Sequence, residues 1–334
     1  MPNAFNDCNR GGGVESDKIP EMRILFCGES FPEARRRLAT RLTDDEIVFC
    51  ERSALREAIA HADVAIPLMS RIDAAMINAS SFRLVQQWGA GLEGVDLEAA
   101  RSKGVHVANV PATGNNADSV AEHIILLMLT LLRDLPRCQS NVRKGLLGIP
   151  AGKMLAGRTV CLYGLGAIAH ATAQRLCSFG VRLIGISREP TAKKIADLKL
   201  EACYSVADRE AALAHTDMLV ICSRMTQETR GAIDAAALRA LPAGSYIVNA
   251  ARGGLLDYNA FYNALQSGHL AGAGLDVYWD EPISPIDPIL ALPNVIATPH
   301  IAGVTDRSYE EIAVVVAANI DRLRRGIEPL HCVV

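Results

Sequence analysis

The segment VCLYGLGAIAHATAQRL, residues 160–176, constrains the fold more than any other stretch of the chain. An apolar run suited to a buried strand enters Gly164-Leu165-Gly166-Ala167-Ile168-Ala169, and a helical pattern follows. Gly164 permits the tight turn, Gly166 lets a backbone approach a pyrophosphate, and Ala169 is small enough for close packing of helix on strand. The start of that helix offers unpaired N–H groups and a favourable dipole to phosphates. A second apolar strand, VRLIGIS at 181–187, comes next. This strand–turn–helix–strand context predicts a dinucleotide-binding unit, with Gly164, Leu165, Gly166, Ala167 and Ile168 against the cofactor.

The end of the second strand reports on the ribose. An acid there would accept hydrogen bonds from the 2′-hydroxyl of NAD, whereas Ser187-Arg188 offers a hydroxyl and a guanidinium that suit the 2′-phosphate of NADP. Glu189 either repels that phosphate or sits in solvent, and stacking of Arg188 on adenine would admit both cofactors. The expected cofactor is therefore NADP or NAD, with NADP favoured.

Strand-like runs surround this unit on both sides. MRILFC (22–27), DVAIP (63–67), FRLVQQW (82–88) and GVHVAN (104–109) precede it. RTVCLYG (158–164) begins a second series that continues with TDMLVIC (216–222), GSYIVNA (244–250), GAGLDV (272–277) and NVIATPH (294–300). Helical patterns separate them, which predicts an α/β chain with parallel sheets. Pro293 and Pro299 bracket the last strand. A long helix from about Asp118 to Leu132, capped by Asp118 or Asn116, is apolar nearly all round and is expected to be buried. A final helix covers roughly Asp306–Arg325. The chain's 334 residues fit two domains at roughly 150 residues each.

Composition narrows the function. A net charge of −3 gives no basic field for nucleic acid or an anionic membrane, and 5% aromatic residues give little base-stacking surface. The best apolar run, IILLMLTLL at 124–132, falls far short of the roughly 20 residues that span a bilayer. The first 20 residues lack an apolar signal segment and read as a disordered leader. Nine cysteines stand singly without a C-x-x-C pair, which argues against zinc and disulfides and for a reducing, cytoplasmic setting. No metal is expected.

Reduction of a keto acid needs a cation for the carboxylate and ketone, an acid for the developing alkoxide, and a group that keeps that acid charged. Arg252 stands just past the strand of IVNAARGGLLD (247–257), Glu281 in the loop of GLDVYWDEP (274–282), and His300 after the strand of ATPHIAG (297–303). Ligands of open α/β sheets gather beyond the carboxyl ends of the strands, so all three share an edge with the glycine loop. The remaining histidines read as structural. His123 is read as an interdomain hydrogen-bonding residue, Trp88 as a pocket or core aromatic, and Ser70-Arg71 as able to reach an anionic tail on a longer substrate, with solvent exposure the favoured reading for Arg71.

The order of GAGLEGVDL (89–97), SVAEH (119–123), GLGAIA (164–169), TQETRG (226–231), NAARGG (249–254), LDVYWDEP (275–282) and TPHIAG (298–303) resembles that of the D-isomer-specific 2-hydroxyacid dehydrogenases, a family with glyoxylate/hydroxypyruvate reductases and phosphoglycerate dehydrogenases among its members. The resemblance covers nearly the whole chain from residue 22. It implies a Rossmann cofactor domain (116–303) inserted into a smaller, discontinuous flavodoxin-like substrate domain (21–115 plus 304–334), two doubly wound parallel-sheet units whose cleft closes on binding, and a homodimer. It implies that Arg252 binds the substrate carboxylate and carbonyl, that His300 exchanges a proton with the substrate oxygen, and that Glu281 pairs with His300. By the same resemblance Asp276 meets the nicotinamide carboxamide, Cys222, Thr229 and Ala250 add cofactor contacts, and the backbone at Ala90, Gly91 and Leu92 cradles the substrate carboxylate. Arg224 stands where the family often has proline.

The expected function is interconversion of a small 2-keto acid, such as glyoxylate or hydroxypyruvate, with its D-2-hydroxy acid. Two alternatives remain: a non-catalytic dinucleotide-sensing module, which has no need of the Arg–Glu–His set, and a formate dehydrogenase-like enzyme, whose substrate has no alkoxide to protonate. The sequence ends soon after its last helix, so no appended regulatory domain is expected.

Overall fold

The computed structural model describes residues 21–334, and the leader expected over 1–20 lies outside them. Strands β1 (Arg23–Phe26), β2 (Glu46–Phe49), β3 (Val64–Ile66), β4 (Leu84–Gln86) and β5 (His106–Ala108) form a parallel sheet in the order β2-β1-β3-β4-β5. A second parallel sheet holds β6 (Thr159–Tyr163), β7 (Arg182–Ser187), β8 (Ala202–Ser205), β9 (Met218–Ile221), β10 (Ser245–Asn249), β11 (Leu270–Leu275) and β12 (Val295–Ala297) in the order β12-β11-β10-β9-β6-β7-β8. The first order is the flavodoxin-like one and the second the dinucleotide-binding one, as expected. Each reverses direction at one point, between β1 and β3 and between β6 and β9, and opens a crevice beyond the strand ends there.

The seven-stranded sheet is inserted within the chain of the smaller one. Tyr309, Ile312, Ala313, Val316, Ile320 and Leu323 of the closing helix, Asp306–Arg324, return to pack with Ile24, Phe26 and Val64 of the first sheet. Helices cover both faces of the larger sheet. On one face Ile124, Leu127 and Met128 of the long helix meet Val160, Leu162, Val220 and Val248, so β6, β9 and β10 are buried along their full length. Such two-sided burial is why these strands read as unbroken apolar runs.

Three expectations need correction. The long helix spans Gly114–Arg133, a turn earlier than its apolar pattern indicates, and neither Asp118 nor Asn116 caps it. The Asn115 N–H donates to the Glu311 carboxylate at 3.0 Å, so its first turn is served from the closing helix, a partner that local rules do not reach. Nor is it apolar all round: Asp118 and Glu122 pair with Arg175, and Leu126 is exposed. Finally, β2 and β8 join as edge strands. Their half-exposed residues carry no continuous apolar run to announce them.

Candidate active site

The two crevices face each other across one cleft of about 720 Å3. Gly166, Ala167 and Ile168 line it from the glycine turn, Cys222 from the end of β9, and Ala250 and Arg252 from the end of β10. Asp276 follows β11 and His300 follows β12. Ala90, Gly91 and Leu92 line the opposite wall. Residues far apart in the chain therefore converge at one place because every parallel strand ends on the same edge.

The glycine turn is shaped for a phosphate. Gly164 has φ +93°, and a Cβ there would meet the Ser223 backbone at 2.7 Å, so the β6 and β9 loops touch only if residue 164 has no side chain. Beside Gly166 the space is open, and the helix Ala167–Leu176 begins immediately after it. These features fit a dinucleotide pyrophosphate.

On the opposite wall, the carbonyls of Gly89, Ala90 and Gly91 accept hydrogen bonds from Val110 N–H (2.9 Å), Asn109 Nδ2 (2.9 Å) and Gln87 Nε2 (2.7 Å). In a planar trans peptide the N–H points opposite to the carbonyl. The N–H groups of Ala90, Gly91 and Leu92 therefore turn away from the domain body, and no backbone partner takes them among the described residues. Three such donors in succession make a concavity for an anion.

Arg252 reaches this loop from the other domain. Its Nη1 donates to Ala251 O at 2.7 Å, and its Nε lies 3.3 Å from Glu93 Oε1. A Cβ at Gly91 would displace the Arg252 guanidinium and the Glu93 carboxylate from where they lie.

His300 sits at φ +55°, a costly conformation for a non-glycine residue and one that clusters at functional sites. Its Nδ1 lies 2.6 Å from Glu281 Oε2, while Glu281 Oε1 accepts from Tyr278 N–H at 2.9 Å. Burial raises the Glu281 carboxyl, but the hydrogen bond and charge of His300, the Tyr278 N–H and the Arg252 charge outweigh it and hold the group below its ordinary value. With Nδ1 engaged, Nε2 is the nitrogen left for a substrate.

Asp276 is fully buried. Its Oδ1 accepts from Thr298 Oγ1 (2.6 Å) and Ile301 N–H (2.9 Å), and its Oδ2 accepts from Ala302 N–H (2.8 Å), so it clasps the loop that carries His300. His123 donates to or accepts from Thr298 Oγ1 at 2.9 Å. That bond joins the long helix to the end of β12, so it is a contact around the larger sheet rather than the interdomain one expected. Burial holds the His123 imidazole below its ordinary value despite the nearby Asp276 carboxylate.

Residues 125–302 match the family model described as the NAD binding domain of D-isomer specific 2-hydroxyacid dehydrogenases. The chain belongs to that family. Its members are NAD(P)-dependent oxidoreductases. A glyoxylate reductase of Pyrococcus furiosus is 33% identical over 289 residues, covering 83% of this chain and 84% of its own. A D-3-phosphoglycerate dehydrogenase of Archaeoglobus fulgidus is 30% identical over 280 residues, 82% of this chain and 51% of its own. The chain thus spans about half the length of the curated phosphoglycerate dehydrogenases it matches. Among solved structures, an NADPH-dependent glyoxylate/hydroxypyruvate reductase of Sinorhizobium meliloti, in complex with NADP and malonate, has a TM-score of 0.79 at 31% identity and covers 94% of this chain and 97% of that one. No helix among the described residues is long and apolar enough to cross a membrane.

Some expected 2-hydroxyacid dehydrogenase contacts stand outside the cleft wall. Ser187 and Arg188 end β7 beyond it, with Ser187 buried and Arg188 exposed. Thr229 shapes a loop instead: it accepts from Thr226 N–H at 2.7 Å and donates to Arg224 O at 2.8 Å. Trp88 proves to be both core and cleft wall, and Arg71 is exposed. Several residues escaped the sequence reading. Lys194 Nζ lies 2.9 Å from Ser187 Oγ and adds a cation at the end of β7. Glu93 was visible only as part of the GAGLEGVDL motif. Phe31 stacks its edge on the His300 ring, with centroids 5.6 Å apart at 86°, and no motif announced it.

Proposed function

We propose that the protein reduces a 2-keto acid to the D-2-hydroxy acid with NAD(P)H, and catalyses the reverse oxidation. The observation that carries this reading is the His300–Glu281 pair at 2.6 Å, with His300 lining the same cleft as Arg252 and the free N–H groups of residues 90–92. Glyoxylate and hydroxypyruvate, the acids named for the relatives, are the simplest substrates of this class.

Each group has a task. The N–H groups of Ala90, Gly91 and Leu92 receive the substrate carboxylate, and Arg252 neutralises it and polarises the adjacent ketone. Gly164–Ile168, with Cys222 and Ala250 beside them, would hold the dinucleotide, which when bound would provide the hydride. As charge builds on the ketone oxygen, His300 Nε2 gives its proton there; in oxidation it takes the proton back. Glu281 fixes the ring and its tautomer through Nδ1. Asp276 holds the His300 loop in place at the cleft.

For the cofactor, NADP is the preferred choice. Ser187, Arg188 and Lys194 together present a hydroxyl and two cations at the ribose end, with no acid in the acceptor position after β7. A formate dehydrogenase-like reaction is disfavoured, because it gives the Glu281–His300 pair no oxygen to protonate.

Steady-state turnover of 2-keto acids with NADPH and with NADH tests the proposal. Arg252→Ala should remove most activity, at least about 100-fold in kcat/KM, with little change in cofactor affinity. Absence of turnover with every 2-keto acid would end the reading, and partner capture that ignores His300→Ala would favour a sensing module.

A further inference from the structure

The cleft wall contributed by the smaller domain is apolar and aromatic. Phe31, Leu68, Trp88, Tyr309 and Ile312 line it. Trp88 packs edge-on to Tyr309 at 5.7 Å between centroids, and Phe31 reaches the ring of His300. Phe31 and Leu68 both hold left-handed backbone conformations, φ +56° and +53°, which are strained for residues with a bulky side chain. They sit past the ends of β1 and β3, at the point where the strand order reverses. Strain placed at two large apolar residues on one wall, beside a third strained residue that is the candidate acid, marks the wall as shaped for contact rather than as ordinary loop.

Among the described residues lining this wall, Glu93 is the only charged one and none is a cation. The cations that line the cleft are Arg252 and Arg224, with His300 between the domains. Arg252 is committed to the carboxylate, and Arg224 follows β9 on the cofactor side. Glu93 adds a negative charge near the carboxylate loop. Burial pushes the Tyr309 phenol well above its ordinary value, so it stays neutral. An anionic substrate side chain would lose its water here and find no partner. A side chain of hydrogen, as in glyoxylate, would leave the rings unfilled.

We infer that the protein's preferred substrates are 2-keto acids bearing a bulky uncharged side chain, aromatic or branched, which packs against Phe31, Leu68, Trp88 and Tyr309 beside His300. This rests on the 2-keto acid reductase reading and specifies its substrate class. Burial of apolar surface gives a phenyl or isobutyl group more than about a tenfold advantage over hydrogen even when only part of it is covered.

The test is kcat/KM of the wild-type enzyme with phenylpyruvate, 4-methyl-2-oxopentanoate, glyoxylate and 3-phosphohydroxypyruvate. The first two should exceed glyoxylate at least tenfold, and the phosphorylated acid should fall below it. Glyoxylate or the phosphorylated acid matching or exceeding the bulky acids would overturn the inference while leaving the reductase reading intact. Failure of all four would remove both. Phe31→Ala should cut the phenylpyruvate-to-glyoxylate ratio at least fivefold; a folded variant with an unchanged ratio would overturn the packing argument, and the wild-type series decides the matter alone if that variant does not fold.

Discussion

The guanidinium of Arg252, at the end of β10, is paired across the cleft with the carboxylate of Glu93, Nε to Oε1 3.3 Å. The cation that would hold the substrate is thus already answered by an internal anion from the other domain. Both groups are about one-third exposed, so the pair contributes about 1 kcal/mol or less. Glu93→Gln should lower KM for the keto acid by up to about fivefold, because the incoming carboxylate no longer competes. Initial-rate measurements at low and moderate ionic strength check this. A raised KM would show that Glu93 helps to hold substrate.

The Glu281–His300 pair sets a pH dependence. Glu281 is held below its ordinary value, so its contribution to stability is fully present above that value and is lost as pH falls through the lowered one. In Glu281→Gln the imidazolium loses its carboxylate partner. The acid limb of the kcat/KM profile, where Glu281 takes up a proton, should be lost, and kcat should fall by about 100-fold or more. A variant profile that overlays the wild type would remove Glu281 from proton transfer.

Cofactor choice can be read at the end of β7. Arg188→Ala and Lys194→Ala should each raise Kd for NADPH about tenfold, the loss of one charge-assisted contact, and leave NADH within about twofold. Fluorescence titration of the reduced cofactors gives both constants without any turnover. Equal losses for the two cofactors would mean that neither side chain meets the 2′-phosphate.

Asp276 accepts three hydrogen bonds from the loop that follows β12. Asp276→Asn turns one accepting oxygen into a donor that faces an N–H or hydroxyl. The cost should be about 1–3 kcal/mol of stability, with a fall in kcat as His300 loses its support. Urea unfolding and kinetics on the same preparation check the two effects. Unaltered stability would show that the loop holds itself.

What the sequence disclosed follows a physical rule. The glycine turn, Arg252, Glu281 and His300 were legible because local pattern places each at the end of a buried strand, and parallel topology then brings those ends together. Residues that act across the fold left no such trace. Glu311 serves the long helix from 196 positions away, and Lys194 reaches Ser187 only because the chain folds back after β7. Phe31 owes its place over His300 to a left-handed turn that no glycine or asparagine signalled. The edge strands β2 and β8 were missed for the converse reason: half their surface faces water, so they lack the apolar run that marks a central strand.

The chain passes between its two halves twice, once into the helix at Gly114 and once back before Asp306, and both passages lie side by side. Glu311 holds Asn115 there, and Asn116 Nδ2 donates to Ser308 Oγ at 2.9 Å. Two crossings stitched together act as the spine of a book. Phe31 and His300 meet on its facing pages, their ring centroids 5.6 Å apart.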